Sequence, residues 1–460
     1  MKRTPLSLIA HWAGGELHGE DASIDAIGND TRTLAPGSLY LALRGERFDG
    51  HDFAASAVEN GASALLVERR LPLDVPQVVV ANAERALAKI ATAMQQGRAT
   101  RVFAITGSNG KTSVKNLLLA ILQHAAAVQG LHVHATPGNR NNEIGLPLAV
   151  IDAPEDADFA IYEMGTGKPG DIAYLTAIAA PDVAVVNNVA PAHLERMGSL
   201  LEIANTKAAV YDDLRAGGVA VVNADDAFAP YFAARAGGHP VIRFGLEASA
   251  DVTAGNIALA EAGSRFQLHT PQGSAGVVLS LPGRHNVMNA LAAASLALAA
   301  GIALPLVVEG LVQARPVAGR QVAHVLPSGA VLVDDSYNAN PGSLAAAIAA
   351  LAAGREEGWL VLGDMRELGP DAQALHAQAG LRAREAGLKR LYALGPLSAA
   401  AAAAFGEGGR HFDSHAALAA ALDTELHAGV RCLVKGSRGS AMDKIVTALL
   451  KRGEDVPHVA

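Results

Sequence analysis

The chain has 460 residues, room for about three domains at ordinary domain size. Lys and Arg total 37 against 45 Asp and Glu, a net charge of −8 that offers no basic face for general nucleic-acid binding, and 50% hydrophobic with 18% charged residues excludes a disordered chain. A single cysteine, Cys432, excludes an intrachain disulfide framework and a cysteine-based zinc site, and it fits a reducing cytoplasm.

The first block runs over 1–98. Its opening, MKRTPLSLIAHWAGGELHGE, sets two basic residues before an apolar run broken at His11, Gly14 and Gly15, too weak for a secretory signal. Strand-like runs (SLYLAL at 38–43, ALLVE at 64–68, QVVVA at 77–81) mix with helix-like runs such as FAASAVEN and RALAKIATAM, which predicts a small α/β unit. Residues 97–100, Gly-Arg-Ala-Thr, read as a linker.

The second block, 99–314, opens on VFAIT at 102–106, a buried strand, followed by a Gly-rich loop. Val114, Leu117, Leu118, Ile121 and Leu122 then recur at the spacing of an amphipathic helix. FAIYEM (159–164), VAVVNNV (183–189) and VAVVNA (219–224) read as further buried strands, so the alternation predicts a parallel sheet covered on both faces. Helical periods vanish between about 240 and 281, where Gly turns separate strand-like runs; this predicts an antiparallel insertion, closed by an Ala-rich helix over 286–300. The most apolar stretch, 290–308, is interrupted by Ser295, Gly301 and Pro305 and is a buried helix rather than a membrane span.

The third block, 315–460, alternates strand (AVLVDD, WLVLGD, RLYALG, RCLVKG) and helix, which predicts a Rossmann-like doubly wound domain. Its first βα turn lacks G-x-G-x-x-G, so nothing there argues for a dinucleotide.

Chemistry concentrates in Thr106, Gly107, Ser108, Asn109, Gly110, Lys111, Thr112 and Ser113, between a buried strand and a helix. Glycines let backbone amides converge on phosphate oxygens, the helix start adds positive potential, Lys111 reaches the β- and γ-phosphates, and Thr112 can hold Mg²⁺. The general phosphate-loop pattern would place Gly at 105, where this chain has Ile105, so the loop is the shorter Gly107-x-x-Gly110-Lys111-Thr112. Glu163 closes a buried strand, at the edge of the sheet where ligands bind; the bland reading is a strand-end acid facing solvent. His193 follows another strand at the same edge. Lys207, taken alone, is a surface lysine.

Ten motifs, TGSNGKTS, TPGNRNNEIGLP, YEMG, NNVAPAHLE, NADD, PGRHNVMNALAA, PVAGR, DDSYNANP, LGDMRELG and KGSRGSAMD, together resemble, in order and over about 25–445, the Mur ligase family of ATP-dependent amide ligases. DDSYNANP, LGDMRELG and the segment from NDTRTLAPGS to AVENGA are similar to the branch that adds D-alanyl-D-alanine. No Asp-Asn-Pro-Arg stretch occurs, which the branch adding a diamino acid would be expected to show, and folylpolyglutamate synthetases lack the N-terminal block.

The resemblance implies a cytoplasmic monomer that joins D-alanyl-D-alanine to UDP-N-acetylmuramoyl-tripeptide through an acyl phosphate, using ATP and Mg²⁺. It implies three domains: 1–98 for the UDP-muramoyl peptide, 99–314 for ATP, and 315–460 for the incoming dipeptide. Gly107, Asn109, Gly110, Lys111 and Thr112 would hold the phosphates. Thr112 and Glu163 would hold one Mg²⁺, and His193 a second, bridged by a carbamate on Lys207. Asn286 and Asn289 would meet adenine, Arg320 the γ-phosphate, Asp335 the ribose, and Tyr337 and Asn340 the nucleotide face. Thr31, Arg32, Gly45, Asp49, Gly50 and His51 would belong to the UDP end, and Asn139, Asn141 and Asn142 to the muramoyl peptide. Asp364, Lys435, Ser437 and Arg438 would lie near the dipeptide. Read without the resemblance, the bland alternatives are helix caps for Asn286 and Asn289, a linker ion pair for Arg320, an Asx turn for DDSY, caps of the last βα turn for Lys435 and Arg438, and a structural role for His285.

Overall fold

The computed structural model describes residues 1–45, 48–191, 194–260 and 262–454, so His193 lies outside the described residues. Three main sheets follow one another along the chain, beside a two-residue ladder between Thr4–Pro5 and Ser23–Ile24.

The first sheet holds β1 (Glu16–His18), β2 (Ile27–Gly28), β3 (Leu39–Leu41), β4 (Ala64–Val67) and β5 (Gln77–Val79) in the order β1-β5-β4-β3-β2, with only β1 antiparallel. Helix α1 (Ala83–Gln96) follows, capped by the Asn82 side chain on the Arg85 amide.

The central sheet is built from β6 (Arg101–Thr106), β7 (Val133–Ala135), β8 (Phe159–Glu163), β9 (Val183–Val186), β10 (Val219–Asn223), β11 (Val241–Gly245), β12 (Val252–Ala260), β13 (Gly263–Thr270) and β14 (Gly273–Leu279). Its order is β14-β13-β12-β11-β10-β9-β6-β8-β7, parallel from β7 to β12 and antiparallel across β12, β13 and β14. The antiparallel insertion therefore extends the parallel sheet instead of standing apart from it. Successive β6 side chains enter opposite cores, Val102 and Ala104 one way, Phe103 and Ile105 the other, as strand periodicity requires. Both faces are covered, which is why these strands read as continuous apolar runs.

On one face α2 (Lys111–Gln129), with Leu117, Leu118 and Ile121 inward, packs with Val287, Leu291 and Leu296 of the Ala-rich helix. On the other, α3 (Gly145–Asp152) supplies Leu146 and Val150 to a core shared with Leu87 and Ile90 of α1. The expected linker at 97–100 is thus pinned: Arg98 donates to the Val150 and Ala153 carbonyls at 2.6 and 2.8 Å, and Thr100 is buried. Two charge-assisted bonds to carbonyls at a helix end contribute about 2 kcal/mol together. Arg98→Ala should lower the unfolding free energy by that amount, read as a lower denaturant midpoint with the m-value unchanged.

The third sheet holds β15 (Val322–Val325), β16 (Val331–Asp335), β17 (Glu357–Gly363), β18 (Arg390–Leu394), β19 (Gly409–Phe412) and β20 (Val430–Lys435) in the order β15-β16-β20-β17-β18-β19. All pairs are parallel except β15 with β16. The two edge strands are absent from the sequence reading because Val-Ala-His-Val and Gly-Arg-His-Phe are half-exposed and carry no buried-strand signature. Its buried clusters draw only on residues 326–449, whereas those of the other two sheets end at Ala314. Among the described residues, then, the third unit shares no apolar core with the rest. No helix among the described residues is long and apolar enough to cross a membrane.

Candidate active site

The carboxyl ends of β6, β8 and β9 meet where the strand order of the central sheet reverses, the position at which open α/β sheets bind ligands. The loop 107–110 connects β6 to α2 there. Gly110 has φ +79°, and a Cβ on it would lie 2.5 Å from both Asn187 Nδ2 and Asn289 Oδ1, so this position accepts only glycine. The loop divides in function. The Ser108 and Asn109 amides donate to Asn188, at 2.9 Å to its carbonyl and 2.9 Å to Oδ1. The first-turn amides of Lys111, Thr112 and Ser113 have no intrahelical partner by geometry, and they face a cavity of about 840 Å³. Lys111 Nζ donates to the Gly107 carbonyl at 2.7 Å, and burial holds its pKa below the usual lysine value against the attraction of Glu163.

Glu163 is 3% exposed, which removes the solvent-facing reading. Thr112 Oγ1 donates to its Oε2 at 2.9 Å, and Asn141 Nδ2 to its Oε1 at 2.8 Å. Arg320 Nη2 donates to Thr112 Oγ1 at 2.9 Å, its guanidinium carbon 4.3 Å from the Tyr337 ring centroid, so it bridges two units, with no ion pair among the described residues. Its Nε is buried without a partner among the described residues. Asn340 caps α4 (Pro341–Ala352) through the Ser343 amide and reaches back to Asn109 Oδ1 at 2.7 Å. Asn289 Oδ1 accepts from Asn187 at 3.1 Å, and Asn286 donates to the Pro282 carbonyl at 2.7 Å. Gly283, not either asparagine, is the cap of that helix.

Asp335 and Lys435, side by side at the ends of β16 and β20, form a buried pair at 2.6 Å on the same cavity wall. Lys207 is 2% exposed, not a surface lysine; burial, and secondarily repulsion from Lys111, holds its pKa well below the usual value.

Asn141, Asn142, Asn286, Asn289, Tyr337 and Asn340 line the cavity with the phosphate loop. Asn139 is exposed beside it and receives the Asn141 amide. Asp364 is turned inward, with Oδ1 accepting the Leu397 and Ser398 amides, and Ser437 Oγ accepts the Arg366 amide. Arg438 stands outside, 5.7 Å from the Tyr337 ring and paired with Asp443. The N-terminal candidates form a separate constellation. Asp49 receives the His51 amide and ring Nδ1 while Arg69 and Arg44 flank it. The Glu68 amide points at His51 Nε2, which fixes Nδ1 as the protonated nitrogen. A Cβ on Gly50 would lie 2.6 Å from the Leu43 backbone. Thr31 accepts from Asn60 through its carbonyl, and Arg32 pairs with Asp30; Gly45 donates to the Phe48 carbonyl.

Sequence reasoning passed over Asn187 and Asn188, which organise the loop, and over Asp225, which lines the cavity; His285, read there as structural, lines it too. It also passed over Lys115, 4% exposed on α2. Its signal was available: a lysine set between Val114 and Leu117 in an otherwise apolar arc.

A buried strand, a glycine-rich turn and a helix whose first amides open on the cavity define a P-loop protein. Three family models cover most of the chain: a Mur ligase family catalytic domain at 23–100, a Mur ligase middle domain at 105–297 and a Mur ligase glutamate ligase domain at 321–438. The UDP-N-acetylmuramoyl-tripeptide–D-alanyl-D-alanine ligase of Escherichia coli K12 is 42% identical, the match covering 97% of this chain and 98% of that protein. A crystal structure of MurF from Acinetobacter baumannii superposes with a TM-score of 0.91 at 32% identity, covering 98% and 99% of the two chains. The MurF ligase of Thermotoga maritima, solved in complex with ADP, gives 0.81 at 28% identity over 94% and 98%. The chain belongs to the Mur ligase family.

Proposed function

We propose that the protein is an ATP-dependent ligase that joins D-alanyl-D-alanine to the terminal carboxyl of UDP-N-acetylmuramoyl-tripeptide, acting as a cytoplasmic monomer in the supply of peptidoglycan precursor. The observation that carries this reading is the full-length identity to ligases of that name, at 42% over 97% of the chain, joined to a cavity in which phosphate loop, Asn-rich loop and third sheet meet.

The chemistry asks two anions to approach each other, a carboxylate and a triphosphate. Lys111 and Arg320 are placed to offset that repulsion, and the first amides of α2 cradle phosphate oxygens. The carboxylate attacks the γ-phosphorus, ADP leaves, and the acyl phosphate so formed is attacked by the dipeptide amine, with inorganic phosphate departing. Asn141 and Asn142 are assigned to the acceptor peptide, Asn286, Asn289, Asp335, Tyr337 and Asn340 to the nucleotide. The N-terminal Asp49 and His51 network, with Arg32 nearby, is assigned to the UDP end, and the third unit to the dipeptide.

Thr112 and Glu163 fit a Mg²⁺ site by donor type: a hydroxyl and a buried carboxylate oxygen 2.9 Å apart are the hard oxygen ligands that cation takes. When bound, Mg²⁺ would neutralise phosphate charge. Lys207 fits carbamylation, because only a neutral amine reacts with CO₂ and burial favours that form.

The assay is direct. Protein with ATP, Mg²⁺, UDP-N-acetylmuramoyl-tripeptide and D-alanyl-D-alanine should release phosphate, and omission of any one should stop it. Release indifferent to the dipeptide would refute the assignment.

A further inference from the structure

The buried lysine of α2 has a job that the phosphate loop does not explain. Lys115 sits one helical turn beyond Lys111, so the two ammonium groups rise from the same face of the helix. Lys111 points at the loop. Lys115 points sideways, and its Nζ donates to the carbonyls of Thr136 and Gly138, each at 3.0 Å, and lies 3.7 Å from Glu163 Oε2. Its side chain is 5% exposed and that of Glu163 4%, so neither charge is met by bulk solvent.

Those two carbonyls begin the segment 136–142 that ends in the cavity-lining Asn141 and Asn142. The far end of the segment is tied to the same carboxylate, because Asn141 Nδ2 donates to Glu163 Oε1 at 2.8 Å. Thr136 closes the loop onto the sheet: its Oγ1 receives the Glu163 amide at 3.1 Å. One carboxylate and one ammonium therefore fix both ends of the Asn-rich loop relative to the helix that starts at the phosphate loop. A buried ammonium that spends two of its three protons on loop carbonyls is built to hold backbone, and a neutral side chain of equal length would leave those carbonyls and one face of Glu163 unsatisfied.

We propose that Lys115 is a positioning residue that sets the acceptor-facing loop 136–142 against the nucleotide site, so that affinity for the UDP-muramoyl peptide, rather than for ATP, depends on it. This rests on the assignment of Asn141 and Asn142 to the acceptor.

The test is a split between two ligands. Lys115→Met should raise the acceptor KM, and the acceptor Kd measured calorimetrically with a non-hydrolysable ATP analogue present, by about tenfold or more, while the Kd for the analogue alone stays within about threefold. Lys115→Arg, which keeps a cation able to reach both carbonyls, should recover most of the acceptor affinity. Lys115→Met with wild-type acceptor affinity, or with equal losses toward both ligands, would overturn the proposal. If Lys115→Met does not fold, Lys115→Gln is measured in the same way. Failure of both to fold, with Lys115→Arg wild-type in every respect, would make the ammonium a stability element and overturn it too. A wild-type protein that ligates normally beside an unaffected Lys115→Met separates failure of this inference from failure of the functional reading, in which wild type itself would not ligate.

Discussion

Lys111→Ala should abolish phosphate release, lowering kcat by about a thousandfold or more, while melting within a few degrees of wild type. The asymmetry follows from what Lys111 touches. Among the described residues its side chain hydrogen-bonds to the Gly107 carbonyl alone, on the same loop, so the fold loses little when it goes. Lys115 lies 3.7 Å from Glu163 Oε2, so the carboxylate is not left without a cation. A triphosphate, by contrast, would lose the charge that meets it at the mouth of the helix, in a site where burial makes each charge count for more than in water. Lys111→Arg should not rescue, because a forked guanidinium does not fit where a point charge lies against a glycine carbonyl. The checks are steady-state phosphate release and a thermal melt on the same preparation. Turnover within about tenfold of wild type would remove the phosphate-loop role.

The strand, loop and helix around Lys111 were legible because three signals coincide there: an apolar β-prone run, glycines at the turn, and a helical apolar period. The parallel core was legible for a related reason, since strands buried on both faces, such as β6 and β9, are apolar throughout. Edge strands carry no such mark, and β15 and β19 went unread. Nor could periodicity say that residues 97–100 are clamped: the clamp is Arg98 reaching carbonyls more than fifty residues away. Site residues split in the same way. Asn286 and Asn289 stand one helical turn apart, and the structure puts them on one wall. Asp364, which the resemblance places near the dipeptide, has Oδ1 accepting the amides of Leu397 and Ser398, long-range contacts that no local pattern shows. Lys115 is the converse case, a charge in an apolar arc whose meaning depends on a loop that the helix period cannot see.

Lys207 gives the second large effect, and it separates stability from activity. Lys207→Met should lose nearly all ligation yet melt higher than wild type at neutral pH in carbonate-free buffer. Wild type buries the lysine amine in a site 2% exposed, where burial and the nearby Lys111 both disfavour its charge. A methionine of similar length removes that cost, which is on the order of 1 kcal/mol or more for a charge in such a site. The pH dependence fixes the sign. The folded pKa lies below the ordinary value of 10.5, so the unfolded chain binds more protons between the two values. The penalty is therefore complete below the folded pKa, shrinks as pH rises, and vanishes above 10.5. The stability advantage of Lys207→Met should narrow steadily on titration toward that pH, read as the difference between paired melting curves. Lys207→Ala should be inactive too, with short carboxylates restoring part of the activity by supplying the oxygens that a carbamate would. A Lys207→Met protein that is fully active, or less stable than wild type at pH values where the penalty should be greatest, would show that this lysine is buried for structure and not for chemistry.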